Sequence, residues 1–205
     1  MDDGRFNYLT ELAHDGAAWA SWYDDARHAV EAICDPRGWD SVRFACALSA
    51  LSPRVAVRRN VGLMAALTRG EGPQGLKATW SKAAAIWREP DGHEVCDRML
   101  AIADLLPPGS SYKTACFAAN LTGNMEPVTL DSWMCKACGE PVKVMASRPW
   151  YIDTTNAVQT IAADIGLTPA GTQSAIWHAY ALGEGGRVTM GQFAPLLLAE
   201  NWGSL

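Results

Sequence analysis

Several features are missing from this 205-residue chain. No apolar run approaches the roughly 20 residues that a membrane span needs. The start, M-D-D-G-R, has neither the basic residues nor the apolar stretch of a secretion signal. A non-membrane, intracellular (cytoplasmic) protein is therefore expected. Period-two alternation of apolar and polar residues, the mark of half-buried strands, is nearly absent. There is no G-x-x-x-x-G-K-[ST], no G-x-S-x-G and no H-E-x-x-H, so phosphate cradles, nucleophile elbows and zincin-type hydrolysis have no motif here. Internal repeats and low-complexity tracts are lacking too. The six cysteines (34, 46, 96, 116, 135 and 138) lie in helix-like segments without the spacing of a disulfide framework, and reduced thiols are expected.

An excess of positive charge is also lacking, since the net charge is −5. Taken as a sum this argues against a nucleic-acid partner, whose phosphates are held mainly by lysine and arginine. The distribution points the other way. Residues 1–40 carry three basic and nine acidic side chains, residues 41–88 eight and one, and residues 89–205 six and twelve. A middle segment of +7 inside an acidic chain is either an electrostatic footprint for DNA or a solvated helix face, because binding follows the local field and not the total.

What is present is helical. With 49% hydrophobic residues the chain can bury one good-sized core, and a single domain over residues 1–205 is expected. Trp19, Trp22, Ala26, Val30 and Ile33 recur at three- and four-residue spacing and predict one helix over 17–34. A second fits 41–51, and Ser52-Pro53 is expected to cap and open a third that runs to about 67. Further helices are expected over 76–87, from the Asp91/Glu94 capping box to about 105, through Y-K-T-A-C-F-A-A-N-L, from near Asp131, and over about 150–165, 169–182 and 189–200. Thr168-Pro169 starts the second-last of these, and Thr189 with Gln192 the last.

The most informative stretch is residues 107–133, P-P-G-S-S-Y-K-T-A-C-F-A-A-N-L-T-G-N-M-E-P-V-T-L-D-S-W. It resembles the signature of the helix-hairpin-helix DNA glycosylases, in the pattern of endonuclease III. The matching features are the Pro108-Gly109 turn, Lys113 with K-T-A, and V-T-L-D ending in Asp131 eighteen positions later. Upstream, A-L-S-A-L-S-P-R-V-A-V-R-R-N (47–60) and W-S-K-A (80–83) resemble two further motifs of those enzymes in the same order. The resemblance covers roughly residues 45–135. It implies an all-α, two-lobed helical bundle with the active site in a cleft. It also implies DNA as partner, Lys113 and Asp131 as the catalytic pair, and backbone amides around Gly109, Ser110 and Ser111 on a phosphate. Leu51 stands where endonuclease III inserts a glutamine into the duplex.

The chemistry explains the residue types. Breaking an N-glycosidic bond develops positive charge on the sugar, which a nearby carboxylate stabilises. A lysine desolvated enough to be neutral can attack the anomeric carbon and form a Schiff base, after which elimination cuts the strand. The target base must leave the stack, so a receiving pocket is expected, with Trp133, Trp150, Tyr151, Gln173 and Trp177 as candidates. Arg54, Arg58, Arg59 and Lys82 are candidates for the DNA backbone. Each has a plainer reading: Lys113 as a surface residue in a helix's first turn, Asp131 as an N-cap, Leu51 and the aromatics as packing.

The chain departs from the family pattern at the hairpin's second glycine, here Ser111, and after the aspartate, where Ser132 and Trp133 replace the usual histidine. It has no four-cysteine run, and neither an iron–sulfur cluster nor any other cofactor is expected. Cys135 and Cys138 make C-K-A-C, half of a structural zinc site that His93 and Cys96 could complete; the plainer reading is two ordinary helical cysteines, and no metal is expected. The compact size resembles glycosylase-like proteins of phages and mobile elements, some of which substitute hypermodified pyrimidines without cutting the glycosidic bond. Base excision with abasic-site lyase activity is the leading expectation. DNA base hypermodification and a non-catalytic DNA-binding module are the alternatives. A monomer is assumed.

Overall fold

In the computed structural model, which describes residues 1–105, 111–184 and 193–203, those residues form eleven α-helices and no strand. The helices are α1 (Asp3–Asp15), α2 (Trp22–Cys34), α3 (Ser41–Ala50), α4 (Val57–Thr68), α5 (Lys77–Arg88) and α6 (Gly92–Leu105). They continue as α7 (Ser111–Leu121), α8 (Ser132–Ala137), α9 (Arg148–Ile165), α10 (Pro169–Gly183) and α11 (Phe193–Ala199). The all-α expectation holds. Pro108, Gly109, Ser110, Thr189 and Gln192 lie outside the described residues, and Ser111 is described only as the first residue of α7.

Caps set several helix starts. Asp40 accepts from the Arg43 N–H, Ser147 from Trp150 with Pro149 just inside the helix, and Thr168 from Gly171 with Pro169 at the first position. Gly166, at φ 71°, closes α9 in the left-handed conformation that glycine adopts without steric cost.

Three boundaries differ from expectation. Helix α1 was not anticipated; Asp2 caps it through the Arg5 N–H, and Leu9, Leu12 and Ala13 bury its inner face. The stripe from Trp19 to Ile33 is not one helix. A 3-10 turn at Ala17–Trp19 precedes α2, because the chain at Gly16 is pressed on α10, where a Cβ would stand 2.0 Å from the Ala175 carbonyl oxygen. Finally, Ser52-Pro53 opens no helix. The chain turns instead, with Val55 N–H reaching the Ser52 carbonyl and Arg54 held at φ 61°, and α4 begins at Val57. A non-glycine residue in that region costs about 1–2 kcal/mol.

The helices pack in two groups. α3 meets α4, α5, α6 and α7; α10 meets α1, α2, α8 and α9, with α11 against α2 and α4. α10 is buried on almost every side, and small residues let its neighbours approach closely: at Gly171 a Cβ would stand 2.9 Å from the Ala20 carbonyl oxygen. Trp22 joins the groups, its ring stacked on Phe193 at 5.0 Å, edge-on to Trp177 at 5.3 Å and 6.3 Å from Phe117 of α7. One contiguous apolar core draws on both. No helix among the described residues is long and apolar enough to cross a membrane.

Candidate active site

α7 belongs to the first group and α8 opens the second, so Lys113 and Asp131 enter from the two sides of their junction. Lys113 lies in the first turn of α7, and the end of α3 grips that turn twice. Ser49 Oγ donates to the Thr114 carbonyl at 2.6 Å, and Lys113 Nζ donates to Ser52 Oγ at 3.3 Å. Both serines are buried. The Lys113 stem follows Phe117, with Nζ 6.0 Å from the ring centroid.

Asp131 ends a connection without regular structure that buried side chains hold in place. Asn120 Nδ2 donates to the carbonyls of Asn124 and Pro127, both at 2.9 Å, and its Oδ1 accepts from Thr129 Oγ1 at 2.7 Å. Tyr151 Oη donates to the Val128 carbonyl at 3.0 Å and accepts from Leu130 N–H at 3.3 Å. Asp131 then caps α8: Oδ1 accepts from the N–H groups of Trp133 and Met134 at 2.9 and 3.0 Å. Among the described residues no hydrogen bond reaches its Oδ2.

Both groups are half-buried. Burial pushes the Lys113 amine below the usual lysine range, opposed by attraction to Asp131. The partial positive charge of a helix N-terminus acts in the same direction as burial. Burial likewise raises the Asp131 carboxyl, opposed by Lys113 and then by the Met134 and Trp133 N–H groups. The two attract through space without a direct ion pair. A lysine that sheds its proton easily beside a carboxylate anchored through one oxygen can supply a nucleophilic amine and a negative charge for a developing cation.

The remaining candidates divide. Leu51 is fully buried and so cannot be a wedge as it stands; it packs in the core where α3 ends. Tyr151 is 3% exposed and holds the connection to Asp131 instead of receiving a base. Gln173 is also buried, with its Oε1 accepting from Tyr23 Oη at 2.7 Å, and Trp177 packs edge-on to Trp22. These three are packing and anchoring residues because α10 and α9 turn those faces inward. Trp133 and Trp150 are half-buried, with the Lys136 ammonium 4.3 Å over the Trp133 ring.

Of the basic segment, Arg43 donates to the carbonyls of Ile86, Trp87 and Glu89 at the end of α5. Arg88 donates to those of Leu67 and Glu71, and Arg69 pairs with Glu71. Arg43 and Arg88 thus complete helix ends, and Arg69 also donates to the Asn201 carbonyl. Arg54, Arg58, Arg59, Lys77 and Lys82 are exposed and form no ion pair with another described residue. Arg54 follows Ser52 by two positions and stands at the tip of the turn beside Lys113. Lys82 lies elsewhere, on α5 next to Cys46 of α3.

His93 faces Asp40 at 3.5 Å, and Cys96 interacts with Cys46, so neither joins Cys135 and Cys138. Burial pushes these two thiols up to about 12 and about 11. No group of three or more potential metal ligands occurs among the described residues. A surface groove of about 610 Å³ runs between α2 and α11, lined by Trp19, Asp25, His28 and Leu198 among others. It contains none of the predicted site residues and no lysine or arginine.

A family profile matches residues 8–184, a span that includes both residues of the pair. The chain belongs to DUF7178, a family of unknown function. No curated protein and no solved structure matches it. In this DUF7178 member, sequence reasoning missed Ser49, Ser52, Asn120 and Thr129. Only the two serines carried a signal, as the polar members of an otherwise apolar L-S-A-L-S helix end.

Proposed function

We propose that this protein is a DNA glycosylase with abasic-site lyase activity, working on an extruded base at the junction of its two helical groups. The observation that carries the reading is the pairing of a half-buried, easily deprotonated Lys113 with an anchored Asp131 carboxylate. The lone pair of the Lys113 amine attacks the anomeric carbon as the bond to the base breaks, and the base leaves with that electron pair. Asp131 stabilises the positive charge that builds on the sugar. Ring opening yields the protonated Schiff base, from which loss of a proton at C2′ expels the 3′ phosphate and cuts the strand. Arg54, Arg58 and Arg59 bind the DNA backbone around this site.

The test is trapping. Borohydride reduces a lysine Schiff base to a stable amine, so the protein mixed with a duplex bearing one abasic site is expected to form a covalent complex. Lys113→Ala loses that complex, and Asp131→Asn slows its formation. Trapping that Lys113→Ala leaves intact overturns the reading. Salt-dependent DNA binding with no trapping at all leaves a non-catalytic DNA binder.

A further inference from the structure

We propose that the Ser52 hydroxyl holds and aims the Lys113 amine, making Ser52 a positioning residue for the reaction. This rests on the reading of Lys113 as the nucleophile. Among the described residues Lys113 Nζ hydrogen-bonds to Ser52 Oγ alone, at 3.3 Å, and that serine is itself fixed. Its N–H reaches the Ser49 carbonyl at 3.0 Å, its carbonyl accepts from Val55 N–H at 3.5 Å, and it is 6% exposed. Past the end of α3 the chain turns, with Arg54 in the left-handed region, and the hydroxyl faces α7 at Lys113. Ser49, three residues earlier, ties the same turn of α7 by its backbone. The two serines therefore hold the backbone of the turn next to the nucleophile, at Thr114, and the nucleophile's own side-chain end.

A neutral amine has two N–H bonds and one lone pair. Committing one N–H to Ser52 restricts where the lone pair points, and an acceptor on the ammonium form also helps Lys113 keep its proton. Removing the hydroxyl has two effects of opposite sign on reactivity. The amine becomes easier to deprotonate, because the charged form loses an acceptor. It also loses its aim, which slows attack by roughly tenfold. A serine that only fills space would produce neither the shift nor the split.

The experiment compares the unmodified chain with Ser52→Ala and with Ser52→Thr, which keeps the oxygen. Lys113 acetylation by acetic anhydride is followed by peptide mass spectrometry across pH, alongside the pH profile of abasic-site trapping. Ser52→Ala is expected to label with a lower midpoint yet trap more slowly, with Ser52→Thr close to the parent in both. A folded Ser52→Ala whose labelling midpoint is unmoved overturns the proposal. If the parent traps no abasic DNA, the glycosylase reading falls and the labelling midpoint alone decides whether Ser52 holds the amine.

Discussion

Replacing Tyr151 by phenylalanine removes one oxygen and tests whether this residue anchors the approach to Asp131 or receives a base. Its ring lies 4.8 Å from that of Tyr112, and both are buried, so the apolar packing survives the change. What is lost is the donor to the Val128 carbonyl at 3.0 Å and the acceptor for the Leu130 N–H at 3.3 Å. Val128 and Leu130 are 1% and 0% exposed, so water cannot replace the oxygen. An unsatisfied buried polar group costs about 1–3 kcal/mol. With the longer bond taken at the low end, the pair costs about 2–4 kcal/mol, or a drop in Tm of roughly 4–16 °C at this chain length. The loosened connection also lets the Asp131 carboxylate drift, so trapping slows in protein that is still folded. Thermal unfolding followed by circular dichroism, with trapping measured well below the transition, checks both. A Tyr151→Phe protein that melts with the parent refutes the anchoring argument.

Asp131→Asn keeps the cap, because asparagine oxygen accepts from the same two N–H groups, but removes a half-buried charge. The folded protein holds the Asp131 proton more tightly than the unfolded chain does, so this group contributes stability at low pH that is lost as pH rises through its raised value. Asp131→Asn is therefore expected to melt at or above the parent at neutral pH, with the advantage shrinking toward pH 4 while trapping falls; a clear loss of stability at neutral pH contradicts the assigned environment. Reversing charge at Arg58 and Arg59 together is expected to weaken DNA binding and to flatten its dependence on salt by about two counterions, measured by fluorescence anisotropy at several ionic strengths, with the melting temperature unchanged. An unchanged salt slope removes α4 from the DNA face.

The legible parts of the fold were those governed by local chemistry. Thr168-Pro169 starts α10, and the Ser41–Ala50 helix lies inside its expected span, because caps and apolar spacing act within a turn or two. The failures are tertiary. Gly16 interrupts the Trp19-to-Ile33 stripe because α10 presses on it, which no neighbouring residue announces. Ser52-Pro53 has the chemistry of a helix start, but the chain turns there and the Ser52 hydroxyl faces Lys113, sixty-one residues on. At the site, Lys113 and Asp131 were visible as a spaced pair. Tyr151, Gln173 and Trp177 were visible only as side chains that could stack or bond. Whether an aromatic side chain faces a cleft or a neighbouring helix depends on packing between α7, α9 and α10, which periodicity within one helix does not encode.

Mapping the covalent bond itself decides whether Lys113 is the nucleophile. The borohydride-trapped complex with an abasic-site duplex is digested with protease and nuclease, and the peptide carrying the reduced sugar is sequenced by mass spectrometry. The adduct is expected on the Nζ of Lys113. An adduct spread over exposed lysines such as Lys77 and Lys136, or lodged on the terminal amine, contradicts that assignment.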